Sequence, residues 1–393
     1  MRKKVWKFLA YYIIIKLLFL AIYLVVDIPL MKVFKLKSLL EADASFNDLH
    51  YQVKKEMKEE APALSGKIVI INSGSIERDS FRLDLARLLG VLKKYNPKVI
   101  GIDHDFRDTV LPGTPELIRE IQNNSSIILA SQGSNSIDFN KNVRFADVGF
   151  PQQITIRRYT TEKSSFAYQI ANEINQNNIA ELKGKTFFIN YVGRHDELIS
   201  RSDSIAFEFF EPTEGQSAFI MLEARDILRG DTLTVSKLAQ VAGDNALLIG
   251  HLGNTHLTDV RYDSEDKYRV PYDKIGIERE KTMPGVLIFA NAIENILNPS
   301  LRFFCISDTL LFKIIKEILM ILFLIYLLFF NIGKAINLLI LALLTFPALW
   351  IVLYLMKHNI YLEIGLTLVQ LILLEETVKI IYSVQDLFIK TPH

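Results

Sequence analysis

Cysteine is almost absent: Cys305 is the only one in 393 residues. One thiol cannot close an intrachain disulfide, and no Cys-containing zinc pattern is possible. A large folded body must then rest on its hydrophobic core, and about 270 residues suffice for one. An excess of charge of either sign is lacking too. The formal net charge is +1, so nothing global draws the chain to nucleic acid or to an acidic partner. Catalytic signatures are equally scarce. There is no His-Glu-x-x-His, no Gly-x-x-x-x-Gly-Lys-Ser/Thr and no Gly-x-Ser-x-Gly. An aspartyl phosphatase needs Asp-x-Asp-x-Thr/Val after a strand, and Arg107 occupies the last of those places after Asp103 and Asp105. No enzyme is expected.

Apolar residues, by contrast, make up 50% of the chain, and the mean hydropathy is +0.22. The excess sits at residues 8–26 and in the C-terminal block from residue 310 on. Residues 8–26 hold one lysine, Lys16, in an otherwise oily run long enough to cross a bilayer, since about 20 helical residues span its core. Arg2, Lys3, Lys4 and Lys7 precede it with no acidic residue, which places the N-terminus in the cytoplasm. The small-x-small pattern Ala42-Asp43-Ala44 lies too far downstream for signal cleavage, so an uncleaved anchor is expected. Residues 310–330, 335–356 and 360–382 read as three more spans, joined by loops too short for anything but antiparallel hairpins. Four crossings return the C-terminus to the cytoplasm. Lys32, Lys35 and Lys37 fall on the outer side. Lys313, Lys316, Glu317, Glu363, Glu375, Glu376 and Lys379 read as interfacial or helix-pairing charges rather than a conduction path, which argues against a transporter.

The resulting division is residues 1–30 as cytoplasmic N-terminus and first span, 31–64 as a helical stalk, 65–306 as an extracytoplasmic domain, 307–382 as three spans and 383–393 as a short tail. Within the domain, residues 67–72, 99–102, 127–130, 185–191 and 246–250 read as strands. Residues 81–94, 115–122, 219–228 and 286–297 read as helices. The strands are apolar throughout, as when helices cover both faces of a sheet, and alternation of this kind implies parallel pairing. The fold class expected is α/β, with a mixed or mostly parallel sheet and flanking helices.

An ordered set of short stretches carries a resemblance. Lys98 to Phe106 comes first, then Ser126 to Ala130, Val148-Gly149-Phe150 with Arg157-Arg158, Ser165-Phe166-Ala167, and Phe188 to Gly193. Asp226 to Gly230, Ala246 to Gly250 with Asp259, and Met283 to Val286 with Ala290 to Ile293 complete it. This middle region resembles the type-2 CHASE domain, an extracytoplasmic sensory module of bacterial cyclases and kinases. The resemblance implies a sensory domain in the bacterial inner membrane, with one span before it and three after. Two places depart from that pattern. Phe289 stands where the family usually has a histidine, and Val270-Pro271 replaces a Thr-Pro. Family members normally continue into a cytoplasmic output domain, whereas about ten residues follow Tyr382 here, so the output is expected to lie on a separate partner.

Candidate chemistry clusters at strand ends, where open α/β sheets place their ligand crevice. Asp103, His104, Asp105 and Asp259 are the candidate ligand-binding residues, with Asp103 and Asp105 on one face and His104 turned away. Asp108 belongs to the same loop, and His251 and His256 with Asp259 are a weaker metal set. Ser73-Gly74-Ser75 reads as plain turn chemistry. Pro284, Gly285 and Asn291 are the candidate relay residues, because their helix runs towards the second span. No metal and no cofactor are expected. The expected partners are membrane lipid, a protein in the membrane or cytoplasm, and possible further copies of the chain, with no nucleic acid and a small-molecule ligand left unidentified. The expectation is a sensor that relays an envelope signal; the alternative is a docking subunit of an envelope complex.

Overall fold

Strand β1 (Ile68–Asn72) is buried at every position, and it lies inside a six-stranded sheet of order β4-β3-β2-β8-β1-β7. The computed structural model describes residues 64–104, 106, 111–131, 143–148, 156–175, 179–191, 219–252, 267–268, 283–306, 309–329, 347 and 350–362. The expected first span at residues 8–26, the stalk at 38–60 and most of residues 335–356 and 360–382 lie outside these. The other sheet strands are β2 (Val99–Ile102), β3 (Ile127–Ser131), β4 (Arg144–Asp147), β7 (Ile220–Glu223) and β8 (Ala246–Gly250). Every pairing among them is parallel. Strand β5 (Arg158–Thr160) pairs antiparallel with β6 (Thr186–Phe188) outside that sheet. The architecture is α/β with a mostly parallel sheet and flanking helices.

Alternate residues of these strands feed two separate layers. Val69, Ile71, Ile100, Ile102, Leu129, Leu247 and Ile249 face a core shared with α1 (Phe81–Leu92), α2 (Thr114–Gln122), α4 (Ala224–Arg229) and α5 (Thr232–Val241). The opposite side carries α3 (Phe166–Ile174) and α6 (Gly285–Leu297), which pack on each other and on β1, β2, β3 and β8. Two glycines allow that approach. A Cβ at Gly101 would sit 2.5 Å from the Ile170 side chain, and one at Gly250 would sit 2.5 Å from Val286 Cβ. Helix α6 is mostly apolar and buried from Gly285 to Ile296, with Asn291, Glu294 and Asn295 as its enclosed polar residues.

The structure corrects three readings of the sequence. Residues 219–228 are not one helix: Ile220–Glu223 is the edge-lying partner of β1, and the helix begins at Ala224. The strand at residues 185–191 shortens to Thr186–Phe188 and joins β5 rather than the main sheet. Ile360–Tyr361, expected at the start of a span, is instead extended as β10 and pairs in parallel with β9 (Phe304–Cys305).

The chain divides into two compact units, Lys55–Phe303 and a second that includes Phe304–His393. In the second, α7 (Leu310–Phe329) runs for 20 residues. Its Leu310, Leu311, Ile314, Ile318, Leu319 and Leu322 are exposed, whereas Leu324, Val352 and Met356 are buried. Among the described residues no helix is long and apolar enough to cross a membrane; α7 carries Lys313, Lys316 and Glu317 in its first half.

Candidate functional site

Neighbouring strands β2, β8, β1 and β7 end at one edge of the sheet, and each ends in polar chain. Backbone hydrogen-bonding is used up inside a parallel ladder, so polar side chains collect where it stops. Asn72, the last residue of β1, is 1% exposed. Its Nδ2 donates to both carboxylate oxygens of Glu223, at 3.1 Å each, on the end of β7. Its Oδ1 accepts from Gly74 N at 2.9 Å and from Leu252 N, beyond the end of β8, at 3.0 Å. One amide thus ties three strand ends together. Ser75 Oγ donates to the Asn72 carbonyl and accepts from Arg225 N.

On the other side of β8, His104 follows β2 and its Nε2 lies 2.7 Å from Ser73 Oγ. Because β8 lies between β2 and β1, this hydrogen bond crosses its carboxyl end. Phe81 meets the imidazole edge-on at 4.8 Å. The row along the edge therefore reads His104, Ser73, Asn72, Glu223.

Burial sets the electrostatics. Desolvation, with a smaller contribution from His251, pushes the His104 imidazolium down to about 3, so the ring is neutral at ordinary pH. Desolvation pushes the Glu223 carboxyl up to about 7, against the hydrogen bonds from Asn72 and Ser75 and with help from Asp226. Ser73 beside His104 has the spacing of a nucleophile and its base. Ser73 is only 2% exposed, however, and a ring whose cation is so disfavoured is a poor proton acceptor. The pair is better suited to holding the strand ends in place.

Of the residues singled out from sequence, the structure brings Asp103 and His104 to this edge. Asp103 N donates to the Ile249 carbonyl at 2.8 Å. The His104 ring turns to Ser73 at the end of β1. Asp105, Asp108, His256 and Asp259 lie outside the described residues. Among the described residues no group of three or more His, Cys, Asp or Glu side chains could hold a metal ion. Ser73–Ser75 is a buried 3-10 turn. Its Gly74 N–H already binds Asn72, which leaves it unsuited to cradling a phosphate. Pro284 is the N-cap of α6 and Gly285 its first residue, both buried, and Asn291 Nδ2 donates back to the Leu287 carbonyl at 2.9 Å. All three are buried, and the start of α6 packs on Gly250 at the end of β8. Phe289 is buried too, edge-on to Phe166 at 5.1 Å and to Tyr159 at 6.3 Å, so the position is a packing contact.

Sequence reasoning missed Asn72 and Glu223. The available signal was a polar residue ending an otherwise wholly apolar strand, at Ile68–Asn72 and again at Ile220–Glu223.

Open α/β sheets that hold ligands do so in the crevice outside the carboxyl ends of their strands, which is where this polar row lies. A family model described as the CHASE2 domain matches residues 19–331, and the chain belongs to that sensory domain family. No curated protein and no solved structure matches it.

Proposed function

We propose that this chain is a membrane-anchored, extracytoplasmic sensor that receives an envelope signal at the carboxyl edge of its parallel sheet. The signal then passes through its membrane-proximal helices to a separate protein. The observation that carries this reading is the row His104–Ser73–Asn72–Glu223, in which polar side chains converge from the ends of three strands, β2, β1 and β7, into a largely dehydrated setting. Such convergence at the carboxyl ends of parallel strands is where α/β sheets hold ligands. Membership of a sensory family points the same way. Binding rather than catalysis is the reading, given a neutral, proton-averse His104.

Anchoring is supported by the oily run at residues 8–26 behind four basic residues and by the exposed apolar side chains of α7. A patch of that size in water marks a surface meant for lipid or protein. The positive-inside rule applied to Arg2, Lys3, Lys4 and Lys7 supports an orientation with the domain outside, and the family resemblance supports a bacterial inner membrane.

The test uses the full chain in nanodiscs, warmed in the presence of fractionated envelope extract. A fraction of small molecules is expected to raise the melting temperature of the wild type but not of His104→Ala. Stabilisation only by a stoichiometric protein, equal in both, supports a docking subunit instead.

A further inference from the structure

A buried carboxylate far from the strand-end row has no role in the proposed binding site. Glu294 lies in the last turns of α6 and is 1% exposed. Both of its oxygens are held by one residue on the opposite side of the sequence. Ser65 N donates to Oε1 at 2.6 Å and Ser65 Oγ donates to Oε2 at 2.6 Å, across 229 positions. Ser65 stands just before β1, shortly after the domain boundary at Lys55, and Glu294 shortly before the boundary at Phe303. The two places where the chain joins and leaves this unit are therefore pinned by a single side-chain pair.

The same end of α6 is fastened from a third direction. Asn295 Oδ1 accepts from Asn190 N, and Asn295 Nδ2 donates to the Asn190 and Asn291 carbonyls, at 2.8–2.9 Å. Arg302 then caps the helix, donating from Nε to the Asn295 carbonyl and from Nη2 to that of Ile296. A buried carboxylate is costly unless its oxygens are hydrogen-bonded. Leucine or methionine at position 294 would pack in this largely apolar helix without that cost. What a carboxylate adds is directional attachment to Ser65.

We propose that Ser65 and Glu294 form a latch that makes the incoming segment and the outgoing helix move as one body. Its purpose rests on the sensory reading above, but the coupling itself does not. In a domain that passes a displacement from one end of its chain to the other, Glu294 is a positioning residue. The proposed binding row at the strand ends acts on the latch through β1 (Ile68–Asn72), since Lys67, just before that strand, donates its N–H to Ser65 Oγ.

The experiment is hydrogen–deuterium exchange on the full chain in nanodiscs, without ligand. It compares wild type, Ser65→Ala, Ser65→Thr, Glu294→Gln and the double variant Ser65→Ala/Glu294→Gln. Losing a partner of a buried polar group costs enough that Ser65→Ala should speed exchange roughly tenfold. That rise is expected in residues 64–67 and equally in residues 292–303, with Ser65→Thr restoring wild-type rates and the double variant no faster than either single one. Should Glu294→Gln fail to fold, the comparison of Ser65→Ala with Ser65→Thr decides. Faster exchange confined to residues 64–67, rates that add in the double variant, or the same two-segment pattern in a Leu88→Ala control on the opposite face of the sheet overturns the latch. These rates do not depend on any ligand, so the latch stands or falls separately from the sensory reading.

Discussion

The Asn72 amide nitrogen lies 3.1 Å from each carboxylate oxygen of Glu223, joining residues 151 positions apart at the ends of neighbouring parallel strands. The same side chain accepts the Leu252 N–H from beyond β8. This edge of the sheet is thus tied together by a buried amide whose bonds reach β7, the chain beyond β8 and its own turn.

Replacing Asn72 by alanine strips partners from Glu223, Gly74 and Leu252 at once. Buried groups left unsatisfied cost about 1–3 kcal/mol each, partly relieved by water at an edge, so Asn72→Ala should lose about 2–4 kcal/mol. Denaturant unfolding of the domain signal in the full chain checks this. A loss within about 0.5 kcal/mol, the range of ordinary surface substitutions, contradicts the hub role.

The pH dependence has a definite sign. Glu223 holds its proton up to about 7 in the folded chain against an ordinary 4.5. The folded state therefore binds that proton more tightly than the unfolded one. Its contribution to stability is complete below pH 4.5 and is lost as pH rises through 7, an effect of up to roughly 3 kcal/mol. His104 acts oppositely. With its value lowered from 6.5 to about 3, its contribution is complete above pH 6.5 and shrinks as pH falls towards 3. Melting temperatures of Glu223→Gln measured from pH 5 to pH 8 should fall less with rising pH than those of the wild type. Parallel curves for the two proteins count against the buried carboxyl.

Gly250 ends β8 directly under α6. A Cβ there would sit 2.5 Å from Val286 Cβ and 2.7 Å from its Cγ2, and a branched side chain on an enclosed helix has no room to yield. Gly250→Ala should cost about 1–3 kcal/mol by overpacking. Gly243→Ala, where a Cβ meets nothing within 4 Å, should be close to neutral. Equal effects from the two would show that the sheet and α6 are not in close contact.

Much of this fold is legible in the sequence because its strands are short, wholly apolar and bounded by turn residues. Val99–Ile102 after Asn96-Pro97 and Ala246–Gly250 after Gly243 are examples. Ile220–Glu223 is not, since it runs into Ala224–Arg229 with no turn between them and the pair mimics one helix. Thr186–Phe188 is apolar enough for the main sheet, and only its tertiary pairing with Arg158–Thr160 removes it. The site divides in the same way. Asp103 and His104 announce themselves beside a strand end, whereas Asn72 and Glu223 acquire meaning only when parallel pairing brings them together.

The central claim, a sensory domain held outside the cytoplasmic membrane, is tested most directly by where the domain meets a reagent. Leu233 in α5 is 70% exposed; Leu233→Cys in a Cys305→Ser background gives one surface thiol. Intact spheroplasts treated with a membrane-impermeant maleimide should label it fully before lysis. Labelling that appears only after the membrane is opened places the domain inside and contradicts the claim.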